Sequence, residues 1–192
     1  MVDLIVVGTS LGGLHALTGI LSQLPASFST PIALVQHRHR DSAGMLAHLL
    51  QSSGGLPIVE IEDKLAIQPG TVYLAPADYH VLVEPGHFAL SVDDLVLHAR
   101  PSIDVLFESA ADSYRSATLG LVLTGASHDG AAGLKAIKAA GGVAMVQDPA
   151  TAECAIMPAA ALAATTVDYV VPLTDIAPML VQLCQPQLRK HQ

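Results

Sequence analysis

Three short segments carry residue types suited to nucleophilic acyl transfer. The first is Gly8-Thr9-Ser10-Leu11-Gly12-Gly13, a G-x-S-x-G sequence directly after an apolar run. Glycines there permit a sharp strand-to-helix turn that lifts a serine hydroxyl above a sheet. The N–H groups at the start of the following helix favour developing negative charge. Taken alone, the turn suits tight packing or a phosphate equally well. A dinucleotide fingerprint would need glycine where Ser10 stands, and a P-loop would need lysine where Leu14 follows Gly13.

His37 follows a second apolar run, Ile32 to Gln36. A histidine at a strand end can act as general base, although a surface position is the commoner fate of any one of the nine histidines. His39 makes an H-x-H pair with it, and alternate strand residues face one way, so a metal site is a minority alternative. No carboxylate-rich partner motif accompanies that pair, and neither metal nor cofactor is expected.

The third segment is Thr124-Gly125-Ala126-Ser127-His128-Asp129-Gly130, after a strongly apolar run. Asp129 can fix a histidine tautomer and stabilise its cation, or simply cap the helix that starts at Ala131. Backbone N–H groups near Ala126 can supply an oxyanion hole. The chain order is thus Ser, His, Asp. An α/β-hydrolase runs Ser, acid, His, and only His191 lies beyond Asp129, so that fold is disfavoured despite the matching serine turn. His80, ahead of a hairpin strand, Arg100, ahead of a helix, and His128, beside Asp129, are further cleft candidates. For Arg100 the favoured role is pairing with Asp104.

These segments need a scaffold. The chain has 192 residues, 51% hydrophobic and 14% charged, which provides one core and excludes disorder. Its net charge of −8 and lack of clustered Lys and Arg argue against nucleic acid; Arg38, His39 and Arg40 form one short patch, with Arg40 read as solvated. Cys154 and Cys184 fit neither a disulfide framework nor zinc spacing, and both read as small buried hydrophobes. No secretory signal and no bilayer-length apolar run is visible, which places the protein in the cytoplasm.

Leu4–Val7, Ile32–Gln36, Pro57–Glu60, Thr71–Leu74, Thr118–Leu123, Val143–Val146 and Tyr169–Val171 read as strands. Helices are expected over Leu14–Leu24, Ser42–Ser52 with Ser42 as N-cap, Pro101–Ser113, Ala131–Ala140, Ala155–Ala164 and Thr174–Leu183. Tyr79–Glu84 and His87–Val92 flank Pro85-Gly86 as a hairpin. The fold class is α/β: a three-layer, doubly wound, mostly parallel Rossmann-like sheet with a β-hairpin excursion. Sites in such sheets form beyond the carboxyl ends of strands, which is where Ser10, His37 and Asp129 fall. A single domain over 1–184 with a polar tail over 185–192 is expected.

Several ordered motifs extend the argument: VVGTSLGG, ALVQH, EIEDKLAIQPGTVYLAPADYHVLVE, RPSIDVLFESAA, LTGASHDGAAGLKAIKAAGG and QDPATAECAIMPAAAL. In these the chain resembles the catalytic domain of the chemotaxis protein-glutamate methylesterases (CheB). The resemblance implies a nucleophile at Ser10, a base at His37, an acid at Asp129 and a backbone oxyanion donor at Ala126. It also implies hydrolysis of γ-glutamyl methyl esters on cytoplasmic helices of chemoreceptors, with some glutamine deamidation. Two positions depart from the family pattern: Leu11 stands where threonine is common, and Ala126-Ser127-His128 where Met-Gly-Asn is common. No receiver domain is expected ahead of the first strand, so either regulation would differ or the sequence is part of a longer protein. The alternatives are a nucleotide-binding Rossmann-like domain and a catalytically silent module that docks on a receptor.

Overall fold

The computed structural model describes residues 1–38 and 45–184. The readings of His39, Arg40, Ser42 and the 185–192 tail with His191 lie outside the described residues. Strands β1 (Leu4–Thr9), β2 (Ile32–Gln36), β3 (Ile58–Glu60), β4 (Val72–Leu74), β7 (Thr118–Val122), β8 (Val143–Gln147) and β9 (Tyr169–Val171) form one sheet. Its order is β3-β4-β2-β1-β7-β8-β9, and every pairing is parallel. The remaining strands, β5 (His80–Glu84) and β6 (His87–Ser91), pair antiparallel as a separate two-stranded sheet. The hairpin is therefore an excursion and not an edge of the main sheet.

The apolar runs become strands because both faces are covered. All six residues of β1 are buried. Ile5 and Val7 join a core with Leu17, Ile20 and Leu180, beneath helices α1 (Gly13–Leu21), α2 (Met45–Gln51) and α6 (Ile176–Cys184). Leu4 and Val6 point to the opposite core with Phe107, Leu134 and Met157, beneath α3 (Ile103–Tyr114), α4 (Ala131–Ala139) and α5 (Ile156–Ala164). This is the period-two alternation of a strand between two helix layers. Each fully buried Leu or Val contributes about 1.5–3 kcal/mol by leaving water.

Some boundaries differ from expectation. Pro101 lies outside α3; Ser102 is the N-cap, and its hydroxyl accepts the Val105 N–H at 3.4 Å. That assignment follows because Ser is a better cap than Pro is a first-turn residue here. Cys184 is buried as expected, but Cys154 is only half-buried. Among the described residues no helix is long and apolar enough to cross a membrane. The sheet reverses direction of growth at β1, between β2 and β7, and the carboxyl ends of those three strands carry the candidate residues.

Candidate active site

Ser10 leaves β1 one residue past its end, with its N–H on the Thr124 carbonyl at 3.0 Å. Thr9 ties the same two strand ends together, since its hydroxyl donates to that carbonyl at 2.8 Å. The Ser10 side chain itself makes no hydrogen bond among the described residues and stands in the walls of two cavities. His37 lines both. One cavity, of about 750 Å³, is bounded by Arg38, Leu95, Leu97, Arg100 and Ala126. The other, of about 700 Å³, lies over the start of α1 and includes Leu11, Leu14, His15 and Glu153.

His37 follows β2, and its N–H donates to the Thr9 carbonyl at 3.0 Å. Its Nε2 is 2.7 Å from Asp129 Oδ2. An ionised carboxylate only accepts, so Nε2 carries the proton and Nδ1 is left as the acceptor nitrogen. Asp129 is 1% exposed, yet it has four donors. Oδ2 accepts from His37 and from the Ile103 N–H at 2.7 Å, while Oδ1 accepts the Ser102 hydroxyl at 2.9 Å and the Asp104 N–H at 2.8 Å. Burial pushes this carboxyl up, but the bonds from His37, Asp104 and Ile103 outweigh it and hold it below the ordinary value.

Asp129 does act as a helix cap, but not on α4. Gly130 is the N-cap there, whereas Asp129 closes the N-terminus of α3, whose first residues are 25 positions earlier. The loop from Ala126 to Asp129 is in turn fixed by the Asp129 N–H on Ser127 Oγ at 3.1 Å. The N–H groups of Leu11, Gly12 and Ala126 donate to nothing among the described residues. Each belongs to a residue that lines a cavity containing Ser10.

Two cleft candidates, His80 and His128, are corrected, and Arg100 keeps its place in the cleft with a different partner. His80 is buried at 1% exposure and does not reach the rim. Its Nε2 meets the Asp94 carbonyl at 3.0 Å, and its Nδ1 accepts the Ser102 N–H at 3.2 Å, so the ring fastens the 92–100 loop to the start of α3. Arg100 does line the larger cavity, but its partner is Asp78, not Asp104. The carboxylate of Asp104 faces inward to α4, out of its reach. His128 is exposed and lines neither cavity, and its carbonyl accepts the Ala131 N–H at the start of α4. Among the described residues no group of three or more His, Cys, Asp or Glu could hold a metal ion.

Sequence reasoning did not find Gln36, Ser102 or Ile103 as parts of this site. Ser102 carried a local signal as a cap, but an uncharged amide and a backbone N–H carry none.

The chain is similar to known proteins along most of its length. The CheB methylesterase family profile matches residues 5–180. A provisionally named protein-glutamate methylesterase/protein-glutamine glutaminase of Leptospira interrogans is 46% identical over 98% of this chain and 98% of its own length. A protein-glutamate methylesterase/protein-glutamine glutaminase of Maricaulis maris is 36% identical over 94% of this chain, which spans 46% of that protein. The crystal structure of the Thermotoga maritima CheB methylesterase catalytic domain superposes with a TM-score of 0.90 at 34% identity, covering 95% of this chain and 99% of that one. On matched length, identity and fold together, this chain belongs to the CheB methylesterase family.

Proposed function

We propose that this chain is a serine hydrolase of γ-glutamyl methyl esters, acting in the cytoplasm on chemoreceptor helices or related signalling proteins. Ser10 is the nucleophile, His37 the base and Asp129 the orienting acid. The observation that carries the reading is the 2.7 Å bond from His37 Nε2 to a buried carboxylate, which leaves Nδ1 as the acceptor nitrogen of a ring that lines the same two cavities as Ser10.

Nδ1 takes the Ser10 proton as Oγ attacks the ester carbonyl, and the imidazolium forms against the ionised Asp129. The oxyanion has N–H donors available at Ala126, Leu11 and Gly12, and loss of one such donor costs on the order of 10²–10³ in rate. The imidazolium returns its proton to methoxide, methanol leaves, and water attacks the acyl-enzyme with His37 again as base. A glutamine side chain follows the same path, with ammonia as leaving group. An amide nitrogen is the poorer leaving group, so deamidation depends more heavily on proton donation by His37.

Methanol release from a methylated receptor fragment tests the reading. Wild-type protein should release methanol and take up a fluorophosphonate at Ser10, and Ser10→Ala should do neither. Release by Ser10→Ala at the wild-type rate would remove the serine from the mechanism. A folded, silent wild type would favour a docking module.

A further inference from the structure

The β1–β2 ladder stops just before the proposed nucleophile and base. Thr9 and Gln36 form its last rung, and the final ladder bond runs from the His37 N–H to the Thr9 carbonyl at 3.0 Å. Past that rung both chains turn out of the sheet and the carbonyls of Ser10 and His37 lose their ladder donors; the Ser10 carbonyl keeps the Gly13 N–H of its own turn at 3.0 Å, and the His37 carbonyl has no backbone donor among the described residues. Gln36 supplies a donor to each. Its Nε2 donates to the Ser10 carbonyl at 2.8 Å and to the His37 carbonyl at 2.9 Å. One side-chain amide thus joins the backbones of both residues.

Those two bonds also fix the orientation of the amide, because a flip would set Oε1 against two carbonyl oxygens. Oε1 is consequently buried with no hydrogen-bond partner among the described residues. It lies against Gly13, where a Cβ would overlap it, at the positive end of α1. An unpartnered buried oxygen costs stability. An aliphatic residue of the same size would avoid that cost but would forfeit both bonds that join the two backbones.

The geometry points to Gln36 as a positioning residue that holds Ser10 and His37 in register for proton transfer. This rests on the reading of those two as nucleophile and base. A mere fastener of the strand ends would affect unfolding but not turnover by the folded protein. A positioning residue affects turnover without altering receptor binding.

The test compares wild type, Ser10→Ala, Gln36→Met and Gln36→Glu, by methanol release from a methylated receptor fragment and by the rate of fluorophosphonate labelling. Wild type and Ser10→Ala decide the underlying reading by themselves, so its failure is seen apart from that of Gln36. Gln36→Met keeps the volume and removes both donated bonds. Its kcat and labelling rate should fall together on the order of 10–10²-fold, with KM within about twofold. Gln36→Glu places a carboxylate against two carbonyl oxygens at high pH, and regains one donor when protonated. Its kcat relative to wild type should therefore rise as pH falls. A wild-type kcat in folded Gln36→Met, or a pH-independent Gln36→Glu to wild-type ratio, overturns the assignment. If Gln36→Met does not fold, that ratio decides.

Discussion

Asp104 and Asp129 exchange helix caps. Asp129 accepts the N–H groups of Ile103 and Asp104 at the start of α3, at 2.7 and 2.8 Å. Asp104 Oδ1 accepts those of Gly130 and Gly133 at the start of α4, at 2.9 and 2.7 Å. Each carboxylate satisfies orphan donors of the other's helix. Two positive helix ends thereby meet two buried acids, but the acids also repel each other. His37 resolves the competition in favour of Asp129, which stays low, while burial and then the charge of Asp129 push Asp104 up to about 6.

Stability should therefore carry an unusual pH signature. Asp104 shifts from 3.8 to about 6 on folding, so between those values the folded chain binds the extra proton. Stability from this group falls as pH rises through that window, and the deficit is complete above it. Two pKa units amount to about 3 kcal/mol. Asp104→Asn keeps an oxygen for Gly130 and Gly133 without the charge. The Tm difference between Asp104→Asn and wild type should grow from pH 4 to about pH 6 and then level off. A difference that is flat with pH would show that folding does not raise the Asp104 carboxyl.

Asp129→Asn should be far worse than loss of a distant carboxylate. Both oxygens of Asp129 are in use, each by two donors, and an asparagine must turn an N–H₂ toward one pair. Either His37 and the Ile103 N–H lose their acceptor, or the Ser102 hydroxyl and the Asp104 N–H do. The expected fall in kcat is on the order of 10³–10⁴, with a stability loss of about 1–3 kcal/mol from the stranded donors. Ser10→Ala should remove more activity and almost no stability. Methanol release together with urea unfolding separates the two variants; equal stability loss in both would contradict the shared-cap geometry.

Much of this site is visible in the sequence because it depends on local patterns. Leu4–Val7 is apolar at every position because both faces are covered, and strand ends in such a sheet converge on one rim. That logic located Ser10, His37 and Asp129. It could not tell which helix Asp129 caps, because α3 is distant in sequence and a carboxylate next to Ala131 satisfies the local rule equally well. His80 illustrates the same limit. A histidine at a strand start has one sequence signature whether its ring faces solvent or is folded beneath the 92–100 loop. Gln36 is missed for a different reason: its function lies in two bonds to backbone, and amide side chains at strand ends have no distinctive pattern.

Arg100 should matter for substrate binding more than for chemistry. Its Nε and Nη2 both reach Asp78 Oδ1, at 3.1 and 2.7 Å, and Nη1 bonds the carbonyls of Val92 and Asp93 at 2.8 and 2.9 Å. The guanidinium therefore pins the base of the loop that presents Leu95 and Leu97 to the larger cavity. A lysine ammonium cannot span that fork. In Arg100→Lys, KM for a receptor fragment should rise about tenfold while kcat changes less than about twofold. Proteolysis within residues 92–99 should also accelerate. A kcat defect at constant KM would instead place Arg100 among the reacting groups.

Gly125 sets how closely the β7 loop can pass under the nucleophile. Its N–H donates to the Cys154 carbonyl and its carbonyl accepts the Met157 N–H, both at 3.0 Å, so its backbone is held from both sides and cannot recoil. A Cβ at this position would overlap the Met157 sulfur and stand 2.8 Å from Ser10 Cβ. Met157 is flexible in kind but is only 1% exposed, which leaves it little room to retreat. Part of the overlap must then be relieved by displacing Ser10. Gly125→Ala should cost about 1–3 kcal/mol as overpacking. It should also lower kcat and fluorophosphonate labelling by about 10–10²-fold through misplacement of Oγ. If Met157 alone absorbs the methyl group, stability falls while labelling stays at the wild-type rate. Pairing Gly125→Ala with Met157→Ala, which opens space on that side, separates the two: recovery of labelling in the double variant assigns the strain to the sulfur, and persistent loss assigns it to the Ser10 contact.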